Sequence, residues 1–119
     1  MHAFDVLGDP VRRRLLELLN DGERSSGELT GIVRDEFGIS QPAVSQHLRV
    51  LRENGFATVR KDGSRRLYTV DTGPLRDADA WLRRFAARWE PHLAALDTEL
   101  ARGRRERRSG DRAGPGREP

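Results

Sequence analysis

The sequence predicts a mainly α-helical fold carrying one small β-hairpin, in the order α-α-α-α-β-β-α. Three observations predict it. Helix-start and helix-stop signals recur at short intervals: Asp9-Pro10, Asn20-Asp21-Gly22, Ser25-Ser26, Gly38, Ser40 and Asn54-Gly55. Two short β-like segments, residues 56–61 and 65–70, flank Asp62-Gly63, a tight-turn signal that Ser64 lengthens slightly. From Pro74 a second apolar period begins, spaced mostly by three and four residues.

Each element has a local reason. A first short helix is expected over residues 3–7, with Phe4 and Leu7 apolar. Asp9 suits an N-cap, and Pro10 suits the first helical position, where no N–H is needed. Leu15, Leu16, Leu18 and Leu19 then make an apolar stripe. Ser25 or Ser26 caps the third helix, with Leu29, Ile32, Val33 and Phe37 expected inward and Gly38 as the turn. Ser40 caps the fourth helix, whose stripe is Val44, Leu48 and Leu51, and Gly55 suits the left-handed position after its end.

The last period runs Leu75, Ala78, Leu82, Phe85, Trp89, Leu93, Leu96 and Leu100, a seam of the kind that packs against another helix. Pro91 interrupts it, and a kink or break is expected near Trp89-Glu90. Residues 102–119 are rich in Arg, Gly and Pro and are expected to be disordered. The expected organisation is a folded domain over residues 1–101 and a tail over 102–119.

Composition excludes several classes. The chain has 119 residues and no cysteine, so disulfides, thiolate metal sites and cysteine nucleophiles are excluded. Three scattered histidines and no paired carboxylate motif make no catalytic constellation, so no enzyme is expected. No apolar run approaches membrane-spanning length and the start lacks a signal-peptide core. A cytoplasmic location is expected, with no membrane partner. Hydrophobic residues are only 35% of the chain, which suggests that another subunit buries some apolar surface.

Charge is informative only once it is located. The net charge is +3, but residues 102–119 hold seven Arg against three acidic residues, so residues 1–101 carry a net −1. Within them, residues 40–70 set six cations (Arg49, Arg52, Arg60, Lys61, Arg65, Arg66) against Glu53 and Asp62, a net +4. A positive face on an acidic body is the pattern of a phosphate-binding surface, because such attraction acts over about 8 Å.

With Val44, Leu48 and Leu51 turned inward, the fourth helix presents Pro42, Ser45, Gln46 and Arg49 outward, with Gln41 near its start. Gln bonds adenine bidentately, Arg bonds guanine, and Ser serves base edges or phosphate. The Ser40 hydroxyl and the first amides suit a phosphate. Arg60, Lys61, Arg65 and Arg66 bracket the hairpin tip, and alternation along a strand implies that one of each pair faces the DNA backbone. A helix that reads a major groove, followed by a basic wing, is the pattern of a winged helix-turn-helix. The plainer alternatives are an ordinary amphipathic helix with a solvated hairpin, or a module that contacts protein or RNA. His47, at the edge of the stripe, reads as a packed or hydrogen-bonded residue rather than a base contact.

The run LGDPVRRRLLELL followed by ISQPAVSQHLRVLRENGFATVRKDGSRRLYTV resembles the ArsR/SmtB-type winged helix-turn-helix repressors of bacteria, over about residues 3–100. The elements DPxRRxxLxxL, SxxxVSxHLxxLxxxG and GxRxxY occur in order. The closing WLRRFAARWEPHLAALDTEL is similar to the subgroup with a tryptophan-rich last helix and no metal box. The resemblance implies a homodimer joined through the first and last helices, here Phe4, Leu7, Leu82, Phe85, Trp89, Leu93 and Leu96. It implies an inverted-repeat double-stranded DNA operator read in consecutive major grooves about 34 Å apart, repression of a promoter (its own among the candidates), and release by a small-molecule effector.

Two departures matter. Residues 29–40 are about one turn longer than the family norm. The metal frame of the last helix would use Asp79 and His92, but Trp81 and Ala95 stand at its other two positions. Two of four ligands do not close a tetrahedral site, so no metal or other cofactor is expected. Trp81 and Trp89 read as dimer-interface core, with the lining of an apolar effector pocket as the alternative.

Overall fold

The computed structural model describes residues 1–88. The chain divides into two compact units, Met1–Trp81 and a second beginning at Leu82. The elements are α1 (Ala3–Leu7), α2 (Pro10–Asn20), β1 (Arg24–Ser25), α3 (Ser26–Phe37), α4 (Gln41–Glu53), β2 (Ala57–Asp62), β3 (Arg65–Val70) and α5 (Gly73–Arg83).

The helix ends are where the caps dictate. The Asp9 carboxylate accepts from the amides of Val11 (2.8 Å) and Arg12 (3.2 Å) at the start of α2. Ser25 and Glu28 form a reciprocal capping box on α3, and Gly38 closes that helix at φ 66°. The Ser40 hydroxyl accepts from the Ala43 amide (3.2 Å) to start α4. At its other end Phe56 N–H donates to Leu51 O (2.8 Å) and Gly55 N–H to Arg52 O (3.2 Å), a Schellman closure. It requires the left-handed backbone that Gly55 adopts at φ 79°.

The apolar stripes meet in one core of Val6, Val11, Leu15, Leu16, Leu18, Leu19, Leu29, Val33, Val44, Leu48, Leu51, Phe56 and Tyr68, among others. Phe56, the largest fully buried side chain, sits where α4 passes into β2. Its carbonyl accepts from Asp71 N–H (2.8 Å), which ties the end of α4 to the end of β3. The DPVRRR segment does more than start a helix. Arg12 donates to Val6 O (2.9 Å) and Asp5 O (3.0 Å), and Arg13 donates to Leu7 O (2.7 Å). These guanidinium groups bond the carbonyls at the end of α1, where helical partners run out, and Val6 O accepts from the Gly8 and Asp9 amides as well.

Several expectations need correction. The hairpin belongs to a three-stranded antiparallel sheet of order β1-β3-β2, because Arg24 and Ser25 pair with Tyr68 and Leu67. A two-residue strand has no period to detect, so only its partner reveals it. Asp62 pairs with Arg65 and so ends β2 rather than opening the loop, which leaves Gly63, at φ 66°, and Ser64 as the turn residues. Phe37 is exposed rather than inward, since it ends α3 just before the Gly38 turn redirects the chain. The additional residues after Leu29 are absorbed as helix through Phe37.

α5 starts at Gly73, one residue before Pro74. Leu75 packs against the core and Ala78 is buried. The helix ends at Arg83, and Phe85 N–H donates to Leu82 O (3.1 Å) in the turn that follows. This interruption precedes the one expected from Pro91. Glu90, Pro91 and the interface candidates Trp89, Leu93 and Leu96 lie outside the described residues, as does the 102–119 tail.

Candidate nucleic-acid interface

α4 carries the candidate reading surface. Val44, Leu48 and Leu51 are buried, which fixes its rotation. Gln41, Pro42, Ser45, Gln46 and Arg49 are all exposed. The side chains of Gln41, Ser45 and Gln46 have no hydrogen-bonding partner among the described residues, so donors and acceptors are available for base edges. Arg49 is partly committed: its Nε donates to Glu53 (2.9 Å) along the helix. That bond holds the Glu53 carboxyl below its ordinary pKa and raises that of Arg49. The Ser40 hydroxyl is likewise engaged in capping.

His47 faces the other way. Its ring lies half-buried, with Nδ1 3.2 Å from Arg12 Nη1. Asp9 Oδ1 lies 4.0 Å from the same nitrogen. Arg12 thus joins the carbonyl end of α1 to the back of α4.

The β2–β3 register sorts the wing. Residues opposite one another share a face, and successive residues alternate. Lys61 and Arg66 are partners, on the face that carries Val59 and the core residue Tyr68. Arg60, Asp62, Arg65 and Leu67 are on the other face. The ion pairs follow the same division. Arg60 donates to Glu23 through Nε (2.9 Å) and Nη2 (3.0 Å), and Arg65 donates to Asp62 (3.2 Å). Lys61 and Arg66 have no counter-charge among the described residues. Like charges placed directly opposite in a sheet are destabilising, a cost that a phosphate between them would remove.

One part of the surface is not legible in the sequence. Ser26, Gly27, Thr30, Gly31 and Arg34 of α3 line a cleft of about 250 Å³ with Gln41 and Ser45 of α4. Ser26, Thr30 and Arg34 recur every four residues, so they form one polar stripe. That spacing is the only signal the sequence held, and it is indistinguishable from a solvated helix face.

Among the described residues no group of three or more His, Asp or Glu side chains comes together to hold a metal ion. No helix among them is long and apolar enough to cross a membrane. Of the expected interface residues, Phe4 and Leu7 are half-buried, and Phe4 packs edge-on against Trp81 with ring centroids 5.3 Å apart. Trp81 is 44% exposed, Leu82 37% and Phe85 46%.

A helix set for a major groove, backed by two helices and flanked by a basic hairpin, defines a winged-helix DNA-binding protein. Residues 9–59 match the model of the bacterial regulatory protein arsR family. The chain is 30% identical over 84 residues to the transcriptional repressor SdpR of Bacillus subtilis (strain 168), covering 71% of this chain and 89% of that one. It is 40% identical over 86 residues to the HTH-type transcriptional regulator Rv2034 of Mycobacterium tuberculosis (strain H37Rv), covering 72% and 77% respectively. The crystal structure of the transcriptional repressor BigR from Xylella fastidiosa superposes with a TM-score of 0.52 at 33% identity, covering 70% of this chain and 82% of that chain. The chain belongs to the arsR family of bacterial regulatory proteins. It is a DNA-binding transcriptional regulator and not an enzyme.

Proposed function

We propose that this protein is a homodimeric repressor that reads an inverted-repeat operator through α4 and grips the flanking phosphates through its wing and α3. The observation that carries the reading is the pairing of an uncommitted polar face (Gln41, Ser45, Gln46) with two cations, Lys61 and Arg66, that no carboxylate among the described residues neutralises. Gln46 and Ser45 read base edges, with Gln41 at the groove entry and Arg49 joining by exchanging Glu53 for a guanine. Pro42 and the first amides of α4 lie along the backbone. Ser26, Thr30 and Arg34 form a second row of phosphate contacts beside them. Of the wing cations, Lys61 and Arg66 are the contacts, and Arg60 and Arg65 are not.

Repression is supported by the naming of SdpR and BigR as repressors. A homodimer is supported by the solution structure of a homodimeric winged helix-turn-helix domain from Mycobacterium bovis, and by the exposed Trp81, Leu82 and Phe85. The dimer face comprises Phe4 and Leu7 of α1 and the apolar positions of the last helix. Residues 1–101 carry both activities, and the arginine-rich tail is an appendage. Release of the operator by a small-molecule effector belongs to the same reading.

Gel shifts test it with the duplex upstream of the protein's own gene and those of neighbouring genes, each against a scrambled duplex at one fixed salt concentration. Saturable, preferential binding to one of the promoter duplexes is expected. Equal affinity for promoter and scrambled DNA throughout refutes operator reading.

A further inference from the structure

Glu23 lies outside the basic segment in sequence and inside it in space. It directly precedes β1, at one edge of the sheet, and its carboxylate reaches Arg60 on β2, at the other edge. Both carboxylate oxygens are engaged, Oε2 by Arg60 Nε (2.9 Å) and Oε1 by Arg60 Nη2 (3.0 Å), and the Thr69 hydroxyl on the strand between donates to Oε2 (3.5 Å). A bidentate fork of this kind fixes the guanidinium plane. The side chains are 60% (Arg60) and 34% (Glu23) exposed, so the pair adds little to stability. Its consequence is electrostatic. Counting Glu23 with residues 40–70 sets six cations against three carboxylates and lowers the local charge to +3.

We propose, resting on the DNA-binding reading above, that Glu23 determines specificity by withholding Arg60 from the phosphates. The wing then offers only Lys61 and Arg66 to the backbone. Sequence-independent attraction stays low, so a larger share of the binding free energy comes from the base contacts of α4. A guanidinium released from Glu23 has the same fork to offer a phosphate, and a flexible side chain long enough to turn toward one.

The test uses the full chain and its Glu23→Gln, Arg60→Ala and doubly substituted forms. The probe is a labelled scrambled duplex of about 30 base pairs, with affinity followed by anisotropy from about 50 to 200 mM salt. Circular dichroism confirms that each form is folded. Glu23→Gln is expected to bind the scrambled duplex more tightly, with a salt slope steeper by about 0.9 for each protomer engaged. In the Arg60→Ala background the same change is expected to leave the slope unaltered. An unchanged slope in Glu23→Gln overturns the proposal. So does weaker binding, which would mean that Glu23 aims Arg60 at DNA. A gain that persists without Arg60 overturns it too, since that is a bulk charge effect. If the unmodified chain binds no duplex, the functional reading itself fails, a separate outcome.

Discussion

Removing Lys61 and Arg66 probes the DNA face most directly. They oppose one another across the hairpin, without counter-charge among the described residues, on the face shared with Val59 and Tyr68. Each phosphate contact contributes about 0.9 to the log–log salt slope. In the proposed dimer a substitution counts twice, so Arg66→Ala flattens the slope by about 1.8 and the double substitution by about 3.6. Over a roughly fourfold rise in salt, a slope difference of 1.8 amounts to about a tenfold difference in how far affinity falls. The assay is anisotropy of a labelled operator duplex across a salt series. Arg60→Ala and Arg65→Ala are the controls, since both arginines are paired on the opposite face. They are expected to leave the slope nearly unchanged. Arg66→Ala also relieves a like-charge pair and is expected to raise stability slightly, read as a higher urea midpoint. Equal effects from all four cations, or a larger effect from Arg60→Ala, refute the division of the wing by register.

Other outcomes follow from the same geometry. Gln46→Ala is expected to relax base preference by about 1–3 kcal/mol at one operator position, read from affinities for single-base variants, while leaving the salt slope unchanged. Phe56→Ala empties a site that is 1% exposed at the junction of α4 and β2, and is expected to cost about 3–5 kcal/mol in urea unfolding. Asp9→Ala removes the α2 cap and is expected to cost about 1 kcal/mol at neutral pH. Burial opposes the charged form of Asp9, but the amides of Arg12 and Val11 and the charges of His47 and Arg12 outweigh it, so its pKa lies below the ordinary 3.8. A carboxyl lowered on folding stabilises the native state above its unfolded value and loses that contribution as pH falls through the folded one. The gap between wild type and Asp9→Ala is therefore expected to shrink below about pH 3.8, and a gap independent of pH in urea titrations contradicts the assignment.

The sequence by itself determined what local interactions determine. Asp9, Ser25 and Ser40 cap the helices they precede, Gly38 and Gly55 take the left-handed positions, and the turn signal between two β-like segments marks the hairpin. These signals act between residues a few positions apart, so order along the chain suffices to read them. The rotation of α4 was legible for the same reason, because one buried stripe leaves only one face for Gln41, Ser45 and Gln46.

Tertiary structure decided everything that depends on which distant groups meet. β1 exists only through its pairing with β3. Arg60 and Arg66 look equivalent in sequence, yet Glu23, 37 positions before Arg60, neutralises one of them. His47 is held by Arg12 at a separation of 35, and the cleft brings Ser26, Thr30 and Arg34 of α3 together with Gln41 and Ser45 of α4. An ion pair or a cleft depends on the few ångströms between side chains, and only the packed chain sets that distance.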